Sequence, residues 1–184
     1  MRGPAGDDGF MTDDSTATLA ALRAGLGADP LWDFALAFYA RPGVEAACLC
    51  LQDEAGIDVC ELLWHCWLYR HGLTLSEEPP ELEAIRRWQR SVTQSLRDLR
   101  RQLKAEAARS PGIADVRRRI QQAELAAERE TLQRLQCLAQ QAEQLTPLPV
   151  NDPGLEISLA SRWKLQKKAQ LLAAQTLEYR LDPL

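Results

Sequence analysis

Six side chains of the kind that bind zinc lie close together in this 184-residue chain: Cys48, Cys50, Cys60, His65, Cys66 and His71. Thiolate and imidazole are zinc's preferred ligands, and a closed structural site needs four of them. The spacing works against such a site. At about 100° per residue on a helix, Cys48 and Cys50 point about 200° apart and His65 and Cys66 diverge by about 100°. Neither pair can grip one ion as a loop Cys-x-x-Cys does. Thiols buried as small apolar side chains are the simpler reading, and no metal or other cofactor is expected. Five cysteines, an odd number, are no disulfide framework and suit a reducing compartment. His71 falls in the last turn of a helix, where an imidazole can cap carbonyls.

A second group is acidic. Asp53, Glu54, Asp58 and Glu61 surround Gly56, and paired carboxylates can act as acid and base or hold a hard cation. An EF-hand does not fit, because with Gly56 as its sixth residue the loop begins at Leu51, which has no side-chain oxygen. Helix capping accounts for Asp58 and Glu61. Asp53 and Glu54 oppose the dipole at a helix C-terminus, so a partner such as an arginine is expected for them. Asp53 and Asp58, with Trp32, Tyr39, Trp64 and Trp67, form a candidate ligand or partner surface. Core packing is the competing expectation for the four rings.

A third group is basic. Residues 86–119 carry 11 basic and 3 acidic side chains, a net of +8, whereas residues 1–85 carry 15 acidic and 4 basic, a net of −11. Arg97, Arg100, Arg101 and Lys104 are the candidate surface for an anionic partner. They could follow phosphates, but the isoelectric point is about 5.3 and the one aromatic residue among the arginines, Trp88, belongs to an apolar stripe. The basic run is then a solvated face answering the acidic half of the chain, or a surface for an acidic protein. No phosphate-loop, dinucleotide, nucleophile-elbow or zinc-protease motif occurs. No catalytic residue is assigned, and an enzyme is disfavoured.

These side chains must be positioned by helices. Residues 1–28 read as a disordered tail holding at most a turn or two of helix around Leu19, Leu22 and Leu26. Asp29-Pro30 starts the first firm helix, through Tyr39. Pro42 restarts one that Gly56 ends. Asp58 and Glu61 have the form of a capping box for a third, apolar nearly all round and ended by His71-Gly72. Leu82, Ile85, Trp88, Val92, Leu96, Leu99 and Leu103 then mark a helix of about 28 residues. Ser110-Pro111-Gly112 turns it into an antiparallel partner striped by Ile113, Val116, Ile120, Ala127, Leu135 and Leu138. A linker, 146–153, precedes a last helix, 154–181, expected to pack on that hairpin. No strand is expected. The fold class is all-α: a compact three-helix core, 29–72, on a long antiparallel hairpin, 80–145, plus a C-terminal helix, with 29–145 as the helical domain.

One combination of motifs carries a resemblance. Leu31-Trp32-Asp33-Phe34-Ala35-Leu36 with Tyr39-Ala40-Arg41-Pro42-Gly43-Val44, then Leu51-Gln52-Asp53-Glu54, Gly56-x-Asp58-Val59, Leu62-Leu63 and Trp67-Leu68, resembles an uncharacterised, mainly proteobacterial family of helical proteins over residues 31–140. The resemblance implies a bacterial, cytoplasmic protein and assigns no functional residue. It has Asn common where this chain has Cys60, which speaks against catalysis there.

No apolar stretch of 18 residues exists to span a bilayer, and the first 30 residues lack a signal peptide's basic start and apolar run. A cytoplasmic location without membrane attachment is the expectation. The favoured function is a non-enzymatic helical interaction or regulatory module whose partner is a protein, a second copy included, because the far stripe of the hairpin needs a cover. The alternatives are a small enzyme or ligand-binding protein with a pocket between the aromatic and acidic segments, and nucleic-acid binding through residues 86–119.

Overall fold

The computed structural model describes residues 11–181, with side chains from Thr16 onward. The described residues are all-α apart from a small two-stranded sheet. Helix α1 is Met11–Ala28, α2 Leu31–Tyr39, α3 Val44–Ala55 and α4 Val59–Arg70, followed by strand β1, Leu73–Leu75. Helix α5, Leu82–Trp88, runs through a π-helical turn, Gln89–Thr93, into α6, Gln94–Gln102, and α7, Lys104–Ala107. The return limb is α8, Pro111–Gln141, and then come β2, Leu145–Pro147, α9, Leu155–Trp163, and α10, Lys168–Arg180.

Helix α4 is the centre. Every residue from Cys60 to Leu68 is buried, as its unbroken apolar character requires. Trp64 and Trp67 are fully enclosed, and each core leucine or phenylalanine around them contributes about 1.5–3 kcal/mol by leaving water. α2, α3, α8 and β1 surround α4. The Asp58 side chain accepts the Glu61 N–H at 3.0 Å and caps α4. The other half of the expected box does not form, because Glu61 is drawn to Arg86 instead. Gly43 and Gly56 bracket α3 with φ of 86° and 67°, conformations that glycine adopts without strain.

Several expectations are corrected. From Met11 on, the N-terminal segment is a helix rather than a disordered tail. Its Leu19/Leu22/Leu26 stripe meets α8 and β2, Leu26 is fully buried, and Arg23 donates to the Ala142 carbonyl at 2.5 Å. Residues 1–10 of the expected tail lie outside the described residues. Asp29 does not cap α2, whose N-cap is Pro30. Its carboxylate faces the His71 imidazole at 3.1 Å, so that ring is held by a side chain and caps no carbonyl.

Two strands exist where none was expected. Leu73, Thr74 and Leu75 pair antiparallel with Pro147, Thr146 and Leu145. Three residues are too few to show an alternating pattern, and the pairing joins segments about 70 residues apart that only the folded hairpin brings together.

The first limb of the hairpin is not one regular helix. The π-helical turn inserts an extra residue, rotating the stripe so that Gln89 and Thr93 face inward, and Leu103 breaks the far end. The last segment is likewise two helices, separated at Lys164, which has a φ of 52°, with Leu165 tucked into the core. Helix α10 packs against α3 and α9, not against the hairpin. Its inward face of Gln170, Ala173, Ala174 and Leu177 is narrow enough for close approach. Lys167 holds Glu54 at 2.7 Å and Gln170 donates to the Glu54 carbonyl at 3.0 Å, so the partner found by Glu54 is a lysine.

Candidate functional site

The π-helical turn is tied to the turn between α3 and α4 by a chain of hydrogen bonds. Gln89 donates from Nε2 to Asp58 Oδ2 at 2.8 Å, and its Oε1 accepts the Thr131 hydroxyl at 3.0 Å. Asp58 thus caps α4 with one oxygen and holds the π-helical turn with the other. One turn further, the Thr93 hydroxyl is buried and has no hydrogen-bond partner among the described residues. A threonine in a regular helix can bond back to the carbonyl four residues earlier. Here that bond is absent, and a buried polar atom left so is rare and destabilising.

A cavity of about 530 Å³ opens beside this network. Gln52, Asp53 and Asp58 line it from α3 and the turn to α4, and Arg90, Thr93, Gln94, Arg97 and Arg101 from the π-helical turn and α6. Ile57, Leu82, Ile85, Leu135 and Trp163 supply its apolar surface. π-helical turns inside α-helices recur at functional sites. This one lines the cavity with two polar residues that an uninterrupted apolar stripe would have excluded.

Most charges on the walls are already engaged. Arg86 forms a two-pronged pair with Glu61, at 3.0 and 2.6 Å, and also reaches Glu78 at 2.8 Å. The Arg86 hydrogen bond holds the Glu78 carboxyl below the ordinary glutamate range. Arg90 pairs with Glu83 at 2.7 Å. Arg97 bridges Glu124 at 3.1 Å and Glu128 at 2.7 Å, and Arg100 reaches Glu124 at 2.5 Å. Burial pushes the Glu124 carboxyl up, but the hydrogen bonds from Arg100 and Arg97 outweigh it and hold it below the ordinary range. Burial wins at Glu128, which is raised.

The sequence-derived candidates divide accordingly. Asp53 and Asp58 line the cavity. Trp64 and Trp67 are core, and the Trp67 indole donates to the Asp29 carbonyl at 2.9 Å. Trp32 lies half-buried under the Arg129 guanidinium, 5.3 Å from its ring centre. Tyr39 is half-buried too, and burial pushes its hydroxyl up to about 12. The expected meeting of these four rings with the acidic segment does not occur, and the aromatic side chain at the cavity is Trp163. Of the basic candidates, Arg97 and Arg100 are spent on glutamates, while Arg101 and Lys104 are exposed.

Gln89 and Thr93 escaped sequence reasoning. A signal existed: with Leu82 and Ile85 they continue a three-and-four spacing, so two polar residues occupy positions that a second, equally regular stripe points inward. Trp163 is remote in sequence and left no signal.

The cysteines are scattered. Cys48, Cys60 and Cys66 are buried, and burial pushes the Cys48 thiol up to about 12. Cys50 is half-buried and Cys137 exposed. Among the described residues no three His, Cys, Asp or Glu side chains gather in a way that could hold a metal ion. No single helix among them is long and apolar enough to cross a membrane.

The arrangement defines a class: a helical body with a two-helix arm and a polar cavity where the two join. The chain belongs to the family described as proteins of unknown function, DUF2390, whose model matches residues 30–135. That span runs from the start of α2 into α8 and takes in the whole cavity wall except Trp163. No curated protein and no solved structure matches the chain.

Proposed function

We propose that this protein is a non-enzymatic interaction module of the bacterial cytoplasm that docks an acidic protein surface through its basic arm. The carrying observation is that α6 and α7 bury no residue. Both pack chiefly against α8, so among the described residues the far half of the hairpin is two helices thick with no third layer. Leu99 and Val116 are 44% and 48% exposed there, on a segment that also carries Lys104 and Arg109, with Arg118 and Arg119 paired to Asp115. α9 and α10 lie against the body and leave this face open.

Charge chooses the occupant. Exposed arginines and lysines around aliphatic side chains suit a protein carrying Asp and Glu around a small apolar patch. Residues 94–123 contain no aromatic side chain, which removes the stacking platform that single-stranded nucleic acid favours.

The test places a photo-crosslinking residue at Leu99 in living cells, identifies the captured protein, and measures its binding to the purified chain. The expected result is a one-to-one, nuclease-resistant complex that weakens at least about tenfold in the Lys104→Glu/Arg109→Glu/Arg118→Glu variant and at raised salt. A nuclease-sensitive product, a stable homodimer by sedimentation, or binding indifferent to the charge reversal overturns the reading.

A further inference from the structure

We infer that the cavity at the π-helical turn is a binding site for a small zwitterion, a short peptide with free amino and carboxyl ends. Its volume of about 530 Å³ lies within the roughly 300–1,000 Å³ of small-ligand sites. Apart from Asp58, whose carboxylate is taken up by hydrogen bonds from the Glu61 N–H and the Gln89 amide, the wall charges are paired within the protein with two exceptions. Asp53 on α3 and Arg101 on α6 both line the cavity, and neither has an ion-pair partner among the described residues. They come from different helices and form no ion pair with each other, so one lone anion and one lone cation border the same space.

A ligand answering both has an ammonium group at one end and a carboxylate at the other. Besides these two charges the cavity offers Thr93, only 2% exposed and with its hydroxyl unpartnered among the described residues, and Gln52. A hydroxyl and a primary amide match the N–H and C=O of a peptide bond. Leu82, Ile85, Leu135 and Trp163 take apolar side chains. A simple anion answers Arg101 alone, and a cation Asp53 alone. Free-ended peptides use all the unspent groups. The Asp58–Gln89–Thr131 network fixes the wall in advance, which lowers the entropy lost on binding.

The experiment is calorimetric titration of the full chain with leucylleucine, its N-acetylated form and its C-amidated form. The free dipeptide is expected to bind, and each capped form to bind at least about tenfold more weakly, as loss of one charge-assisted contact requires. Asp53→Asn should abolish the penalty for N-acetylation and leave that for amidation. Arg101→Gln should do the reverse, and Thr93→Val should weaken all three forms alike. Asp53 and Arg101 are exposed, so their variants are expected to keep the fold, with circular dichroism as the check. No binding of the free dipeptide, or affinities unchanged by capping, overturns the proposal. The docking test spares Arg101 and Asp53, so the two proposals can fail separately.

Discussion

Arg86 grips Glu61 with two parallel hydrogen bonds, Nε to Oε2 at 3.0 Å and Nη2 to Oε1 at 2.6 Å. Glu61 sits on the buried helix α4 with 6% of its surface exposed, so the pair fastens the first limb of the hairpin to the centre of the body. Geometry of this kind makes an ion pair directional. Removing one partner strands the other charge out of water.

Arg86→Met should therefore destabilise the protein by about 3 kcal/mol, near the lower end for breaking a buried pair because the arginine is partly exposed. The double variant Glu61→Leu/Arg86→Met should recover most of that loss, since no charge is then left unpaired. Urea denaturation of the two variants and the wild type decides it. Equal loss in both would show that packing, not charge, holds the junction.

The protein has two histidines, and burial lowers the pKa of both. The His65 imidazole is driven well below its ordinary range by burial, with Arg162 and Arg86 adding to the effect. For His71 burial again comes first, and it outweighs the opposing hydrogen bond to Asp29. A base whose folded pKa is depressed binds fewer protons folded than unfolded as the pH falls below about 6.5. Stability is therefore fully present above that pH and declines below it. In a proton NMR titration from pH 8 to 5.5, the His65 resonances should not move, and the melting temperature should fall over the acid end of that range. A His65 resonance titrating near pH 6.5 would contradict its burial.

Gly154 has a φ of 105°, and a Cβ built there would meet Glu178 Oε1 at 2.7 Å. That carboxylate also accepts the Glu156 N–H at 2.9 Å and so fixes the first turn of α9. Gly154→Ala should lose about 1–3 kcal/mol from backbone strain alone. The paired control is Gly27→Ala in α1, where a Cβ would meet nothing within 4 Å and about 0.5–1 kcal/mol of helix stability is expected to be gained. Thermal melts with opposite shifts are the expected outcome.

Leu26 closes the core from the N-terminal side and is fully buried. Leu26→Ala should destabilise by about 2–5 kcal/mol through lost burial and the space left behind. Denaturation midpoints measure this, and hydrogen exchange would show whether α1 loosens first. A change below about 0.5 kcal/mol would mean that α1 is not docked in solution.

The helices from α2 to α4 and both limbs of the hairpin were legible in the sequence because their signals are local. Pro30, Gly43, Gly56, Asp58, Ser110 and Pro111 sit at the boundaries, and the apolar residues between them repeat every three or four positions. The unbroken apolar run of α4 announced the core, and the charge segregation of residues 86–119 announced the basic arm.

What only tertiary structure decided depends on distant partners. β1 and β2 pair across the whole hairpin. α1 is a weakly amphipathic helix whose place comes from α8 and β2. α10 chose α3 over the hairpin by the fit of small side chains. Which arginines are spent and which are free also turns on whether a glutamate 24 to 31 residues away comes within reach. Arg97 and Arg101 look alike in sequence. Both border the cavity, but one is tied to Glu124 and Glu128 and the other has no ion-pair partner among the described residues, because side-chain distances across a hairpin are set by packing, and no local pattern encodes them.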